Sequence, residues 1–183
     1  HPTLSLASNR RRFAIAIRTL RRYSMALLTG PDCRRAQMKI ALGTDHAGYE
    51  YKERIKHYLT EQGHEVEDFG THSAEPCDYP DFIYPAACAV AQGNCDRAIV
   101  LGGSGNGETI VANKVRGIRC AVCWNEELAR LSRAHNDANV MSIGVRTVSV
   151  EMALKMVAVW LRTPFDDGRH TERIRKIAEI ETR

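Results

Sequence analysis

From Met38 onward, short apolar runs alternate with amphipathic stretches of helical period. That alternation constrains the fold more than any other feature of the chain. Lys39–Gly43, His64–Phe69, Arg97–Leu101, Ile118–Trp124 and Val140–Gly144 read as strands. Tyr49–Glu61, Asp81–Gln92, Glu108–Val115, Glu126–His135, Val150–Arg162 and Arg169–Glu181 read as helices. In the first helix Tyr51, Ile55, Tyr58 and Leu59 recur on one face, and Gly63 follows its end. Pro164 stops the fifth helix. Strands that alternate with helices imply a parallel sheet covered on both faces. The expected fold is α/β, a Rossmann-like three-layer sandwich around a five-stranded parallel sheet, filling residues 38–183.

The first 37 residues do not share this pattern. Residues 1–38 hold eight arginines against Asp32 alone, a local net of +7. The whole chain carries only +4, so the remainder carries −3. Overall basicity therefore makes no case for nucleic-acid binding, and no nucleic-acid partner is expected. Residues 1–37 are expected to be a disordered or non-native extension, with Met38 the natural start. Being Arg-rich and poor in acids, they also resemble an organelle transit peptide. Within them, residues 12–28 have the pattern of a basic amphipathic helix. No stretch is apolar for long enough to span a bilayer, so no membrane partner is expected and a cytoplasmic location is. Cys33, Cys77, Cys88, Cys95, Cys120 and Cys123 are scattered in a chain large enough to fold without staples. Cys120-Ala-Val-Cys123 has metal-ligand spacing but no second pair, so it reads as part of a buried strand, and no metal is expected.

In open parallel sheets, ligands bind beyond the carboxyl ends of the strands. Three polar clusters fall there: Thr44-Asp45-His46-Ala47-Gly48, the loop Gly102-Gly103-Ser104-Gly105-Asn106-Gly107 with Glu108, and Gly144-Val145-Arg146. Glycines let a backbone approach a ligand closely, and the start of a helix favours negative charge. A carboxylate beside such a loop suits proton abstraction next to a carbonyl in an anionic substrate. A glutamate at a helix start also complements the helix dipole, and the residues alone do not separate the two roles. A dinucleotide site is disfavoured, because the spacing is G-x-G-x-G and follows the third strand instead of the first.

Taken in order, several motifs make the chain recognisable. Lys39–Gly48, Asp78-Tyr79-Pro80-Asp81, Gly102–Glu108, Ala112-Asn113-Lys114, His135-Asn136 and the Arg169/Arg173 pair resemble type B ribose-5-phosphate isomerases over about residues 38–180. That family also contains galactose-6-phosphate isomerases. The resemblance implies an aldose–ketose isomerase working through an enediolate, with no metal or other cofactor. One branch of the family places a cysteine base just before the glycine loop. Gly102 stands there in this chain, so the base expected is the other branch's glutamate, Glu108. Ser104 is expected to assist the proton transfer or orient a substrate oxygen, and His135 to open the sugar ring.

Substrate contacts are expected from Asp45, His46, Gly103, Gly105, Asn106, Gly107 and Asn136. Phosphate is expected at Arg146, Arg169 and Arg173. Arg169 and Arg173 share one helix face, and guanidinium forks suit phosphate. His170 is expected to be a bystander, and His57, His64 and His72 surface residues. The expected reaction interconverts ribose 5-phosphate and ribulose 5-phosphate. The alternatives are a six-carbon sugar phosphate such as allose or galactose 6-phosphate, with the Glu75–Tyr79 loop as the deciding wall, or a binding module without turnover. The resemblance also implies a homodimer or homotetramer with shared active sites, in which the His135 region and the last helix complete a neighbour's pocket.

Overall fold

The computed structural model describes residues 37–183. Apart from Gln37, the extension read over residues 1–37 lies outside the described residues, as does Cys33. The remainder is a five-stranded, all-parallel sheet in the order β2-β1-β3-β5-β4. Its strands are β1 Lys39–Thr44, β2 Glu65–Asp68, β3 Arg97–Gly102, β4 Cys120–Cys123 and β5 Val140–Gly144. The helices are α1 Tyr49–Glu61, α2 Pro80–Ala91, α3 Asn106–Ala112, α4 Glu126–Asn136, α5 Val150–Arg162 and α6 Arg169–Ile180. A short 3-10 turn, His46–Gly48, precedes α1.

Alternation along the central strands divides the core into two layers. Ile40, Leu42, Ile99, Leu101, Met141 and Ile143 face one side and pack against Ile55 and Leu59 of α1, Ala129 of α4, and Met156 and Trp160 of α5. Ala41, Ala98 and Val100 face the other side and pack against the Ala-rich α2 and Ala112 of α3. These two packed faces make the three-layer sandwich. Local chemistry sets the helix ends. Asn125 accepts from Leu128 N–H at 2.8 Å to open α4, Ser149 accepts from Met152 N–H at 3.2 Å to open α5, and Pro80 occupies the first turn of α2.

The chain moves outward from β1 to β2, then crosses back to β3 on the other side of β1. The loops after β1 and β3 therefore leave the sheet in opposite directions, and a crevice opens between them. The fold places the Asp45 and Glu108 segments at that switch point.

Several sequence expectations need adjustment. Helix α3 begins at Asn106, two residues before Glu108, because Gly105 adopts a φ of +81° and turns the chain there. Cys120 and Cys123 lie on the edge strand β4, Cys123 buried and Cys120 only partly so. Buried positions on α1 are Lys52, Ile55 and Leu59, while Tyr51 and Tyr58 are only half-buried. His64 is not a surface residue. It is 7% exposed, and its Nδ1 accepts from Met38 N–H at 3.2 Å.

Candidate active site

At the carboxyl edge of the sheet, Asp45 is buried and its Oδ1 accepts from Ala47 N–H at 3.0 Å and Gly48 N–H at 3.4 Å. It therefore caps the 3-10 turn as an Asp in this setting ordinarily does. His46 is exposed, and its Nδ1 lies 3.2 Å from Cys77 N and 3.3 Å from Cys77 O. That contact ties the β1 loop to the 71–79 loop.

The glycine loop follows β3 on the other side of the crevice. Gly103 C=O accepts from Arg146 N–H at 3.1 Å, and the Arg146 guanidinium lies over Gly103. Its Cζ would stand 3.1 Å from a Cβ at that position, so glycine lets the guanidinium approach the loop backbone. Ser104 is exposed, and its Oγ accepts from Asn106 N–H at 3.3 Å. Gly105 C=O accepts from the Thr109 and Ser142 hydroxyls, both at 2.7 Å, which fixes the loop to β5. The Tyr79 ring covers Gly107, with Cζ 2.8 Å from where a Cβ would be.

Glu108 occupies the floor of this arrangement. It is 4% exposed, and its Oε2 is buried without a hydrogen-bond partner. Burial is the main cause that lifts its pKa above the ordinary carboxylate value. Bonds to backbone N–H groups offset part of the rise, and the negative charge of Asp45 adds to it. An elevated carboxylate with an unused oxygen is suited to accept a proton near neutral pH. The structure also explains glycine at position 102. A Cβ there would fall inside the Glu108 carboxyl group and 3.0 Å from its Cγ. A side chain at 102 and a carboxylate from 108 compete for one volume.

The remaining predicted residues lie elsewhere on the chain. His135 and Asn136 end α4, which runs back along the sheet from the carboxyl end of β4. Eleven residues at about 1.5 Å each put them about 16 Å away, toward the amino edge. There His135 stacks on His170, with ring centroids 4.3 Å apart and planes 6° from parallel. His135 Nε2 lies 3.9 Å from Asp166 Oδ2, and Asp166 N–H donates to Ala134 C=O at 2.9 Å. His170 is buried, and its pKa is lowered first by burial and then by the neighbouring His135, Arg169 and Arg173. It packs face to face against His135.

Arg169 and Arg173 share α6 with His170 and are exposed. Helix α6 then crosses to Gly117, whose N–H donates to Glu181 at 3.0 Å. One chain thus gathers Asp45, His46, residues 103–108 and Arg146 at one edge. His135, Asn136, Arg169 and Arg173 gather at the other.

Sequence reasoning placed Tyr79 in the Asp78-Tyr79-Pro80 motif and at the end of the Glu75–Tyr79 wall, but missed that its ring covers Gly107. Among the described residues, no cluster of three His, Cys, Asp or Glu side chains could hold a metal ion.

Comparison with known proteins adds to this geometry. A family profile described as Ribose/Galactose Isomerase matches residues 40–177. Ribose-5-phosphate isomerase B of Escherichia coli K12 is 46% identical over 145 residues, covering 79% of this chain and 97% of that protein. The structure of Clostridium thermocellum ribose-5-phosphate isomerase B superposes with a TM-score of 0.78 at 52% identity, covering 79% of this chain and 98% of that one. Ribose-5-phosphate isomerase B of Mycoplasma genitalium, solved with bound ribulose-5-phosphate, gives 0.76 at 34% identity over 79% of this chain and 96% of that one.

Proposed function

The chain belongs to the ribose/galactose isomerase family, and from that premise we propose that it interconverts ribose 5-phosphate and ribulose 5-phosphate with Glu108 as the base. The observation that carries the base assignment is the buried Glu108 carboxylate, with one unpartnered oxygen beside a glycine loop at the switch point. The relatives compared above are ribose-5-phosphate isomerases, which favours the five-carbon substrate over allose or galactose 6-phosphate.

In this reading the Glu108 carboxylate takes the proton from C2 of the open-chain aldose. The electron pair of that C–H bond forms the C1–C2 double bond of an enediolate, and the negative charge moves onto the carbonyl oxygen at C1. Backbone N–H groups of residues 103–107 stabilise that oxygen. The C2 hydroxyl proton then passes to the C1 oxygen, which leaves the negative charge on the C2 oxygen. As that oxygen forms the C2 carbonyl, the electron pair of the C1–C2 double bond takes the proton of protonated Glu108 at C1 and gives the ketose. Ser104 orients the oxygen during transfer. Asp45 and Asn136 bind sugar hydroxyls, and His46 and Arg146 serve the anionic end.

His135 donates a proton to the ring oxygen, and Arg169 and Arg173 hold the phosphate. These three side chains and Asn136 stand at the opposite edge from Glu108, so the reading needs a second copy of the chain to supply them. Exposed apolar residues suit that assembly. Ile110 of α3 is 61% exposed and Trp124, just beyond β4, is 53% exposed, while Ile177 and Ile180 are exposed on α6. A twofold pair sets one copy's amino-edge cluster against the other's carboxyl-edge loop, and this makes two identical sites.

A mixing experiment tests the arrangement. Glu108→Gln and His135→Asn proteins, each inactive alone, are co-refolded and assayed for ribose 5-phosphate turnover. Mixed dimers then hold one intact site each, and about a quarter of wild-type activity returns. No recovery would show that Glu108 and His135 act within one chain or do not act together.

A further inference from the structure

Lys52 lies on α1 with its side chain fully buried, a rare position for an ammonium group. Its Nζ is 2.7 Å from both oxygens of Asp68, the last residue of β2, and 2.9 Å from Glu53 Oε1. Lys56 Nζ reaches Asp68 Oδ2, also at 2.7 Å. Desolvating such a pair costs stability, and an apolar pair of similar volume is often as stable. The core alone gives no reason for a lysine at this position.

The chain beyond Asp68 supplies one. Asp68 Oδ1 accepts from Gly70 N–H at 3.0 Å, which fixes the turn after β2. Gly70 C=O then accepts from Thr44 N–H at 2.8 Å, and Thr71 N–H donates to Thr44 C=O at 2.7 Å. Thr44 is fully buried, and its hydroxyl donates to Leu101 C=O at 2.9 Å. Thr44 is therefore held on its backbone by the 68–71 turn and on its side chain by the end of β3. Asp45 follows Thr44 directly, and Leu101 adjoins Gly102, against which Glu108 packs.

We propose that the buried Lys52–Asp68 pair is a positioning device that acts through Gly70, Thr71 and Thr44 to set the Asp45 carboxylate at the mouth of the site. The pair touches no substrate. It fixes the last turn of the crevice wall, and it rests on the hydroxyl-binding role proposed above for Asp45.

The test is a mutant cycle on the full chain with ribose 5-phosphate as substrate. The variant Lys52→Met/Asp68→Asn removes the pair without leaving a buried charge orphaned, and Lys52→Met/Asp68→Leu, an apolar pair of similar volume, is the second variant if the first does not fold. Both are made in the wild-type and the Asp45→Ala backgrounds. In the wild-type background KM rises about tenfold, with kcat within about threefold. In the Asp45→Ala background the same change raises KM less than about twofold, because the two sites act as one unit. An equal rise in both backgrounds overturns the proposal, as does a fall in kcat at unchanged KM, which is the mark of a reduced folded fraction. Asp45→Ala alone reports on the hydroxyl-binding reading, so failure of that reading shows separately.

A substrate-free measurement stands beside the cycle. Amide exchange at Thr44 and Thr71 accelerates in the pair variant while exchange at Ile99 in β3 does not. Unchanged exchange at Thr44 and Thr71 overturns the proposal whatever the activity.

Discussion

Gly102→Ala is the most direct perturbation of the proposed base. The substitution adds one methyl group where the backbone is ordinary strand, so the main chain accepts alanine without torsional strain. The added Cβ falls inside the Glu108 carboxyl group and 3.0 Å from Cγ. Carbon atoms prefer separations of about 3.5–4.0 Å, so the carboxyl must retreat by more than about 1 Å. Crowding a packed site costs about 1–3 kcal/mol, which leaves a chain of ordinary stability folded. A misplacement of about 1 Å at a reacting group costs about 100-fold in rate, or about 2.7 kcal/mol of barrier. The expected result is a kcat about 100-fold lower with KM within about threefold, because the base contributes little to ground-state binding. Steady-state kinetics on ribose 5-phosphate, with urea unfolding to confirm the folded fraction, measures both. Adding Gly102→Ala to Glu108→Gln costs little further, since the displaced group is already inactive. A folded Gly102→Ala protein with kcat within about fivefold of wild type would refute the reasoning that the carboxylate must sit in the space glycine leaves.

Four further outcomes are expected. Glu108→Gln lowers kcat by about 10²–10⁴-fold, the range typical of a lost general base. The same variant is at least as stable as wild type, because the folded pKa of Glu108 is raised, so its carboxylate loses stability as pH rises through that value. Urea unfolding at pH 5 and pH 8 should show the variant's advantage growing with pH, and a shrinking advantage contradicts the burial argument. Asp68 behaves oppositely. Burial pushes its pKa up, but bonds from Lys52, Lys56 and Gly70 outweigh that and hold it below the ordinary value. Its contribution is present above the unfolded pKa of about 4 and is lost as pH falls through the lower folded value, so wild type and Asp68→Asn should converge in stability in acid. Arg173→Ala raises KM for ribose 5-phosphate by about tenfold or more and leaves weak binding of unphosphorylated ribose unchanged, and equal effects on both sugars would remove the arginine from the phosphate site.

Local pattern along the chain sets the order and type of the elements. Helices Tyr49–Glu61 and Val150–Arg162 and strand Val140–Gly144 were legible to the residue, because apolar period, caps and breakers are local signals. The glycine loop and its carboxylate were legible for the same reason. Tertiary structure alone decided what depends on distant neighbours. Local period carries no sign of strand order, and the order β2-β1-β3-β5-β4 is what opens the crevice between Asp45 and Glu108. Lys52 looks like a solvated helix residue until Asp68, 16 positions later, is folded against it. His64 and His170 are buried by contacts no window of sequence contains. The separation of His135 from Glu108 follows from the direction of α4 along the sheet, a geometric consequence of parallel strands that residue spacing cannot express.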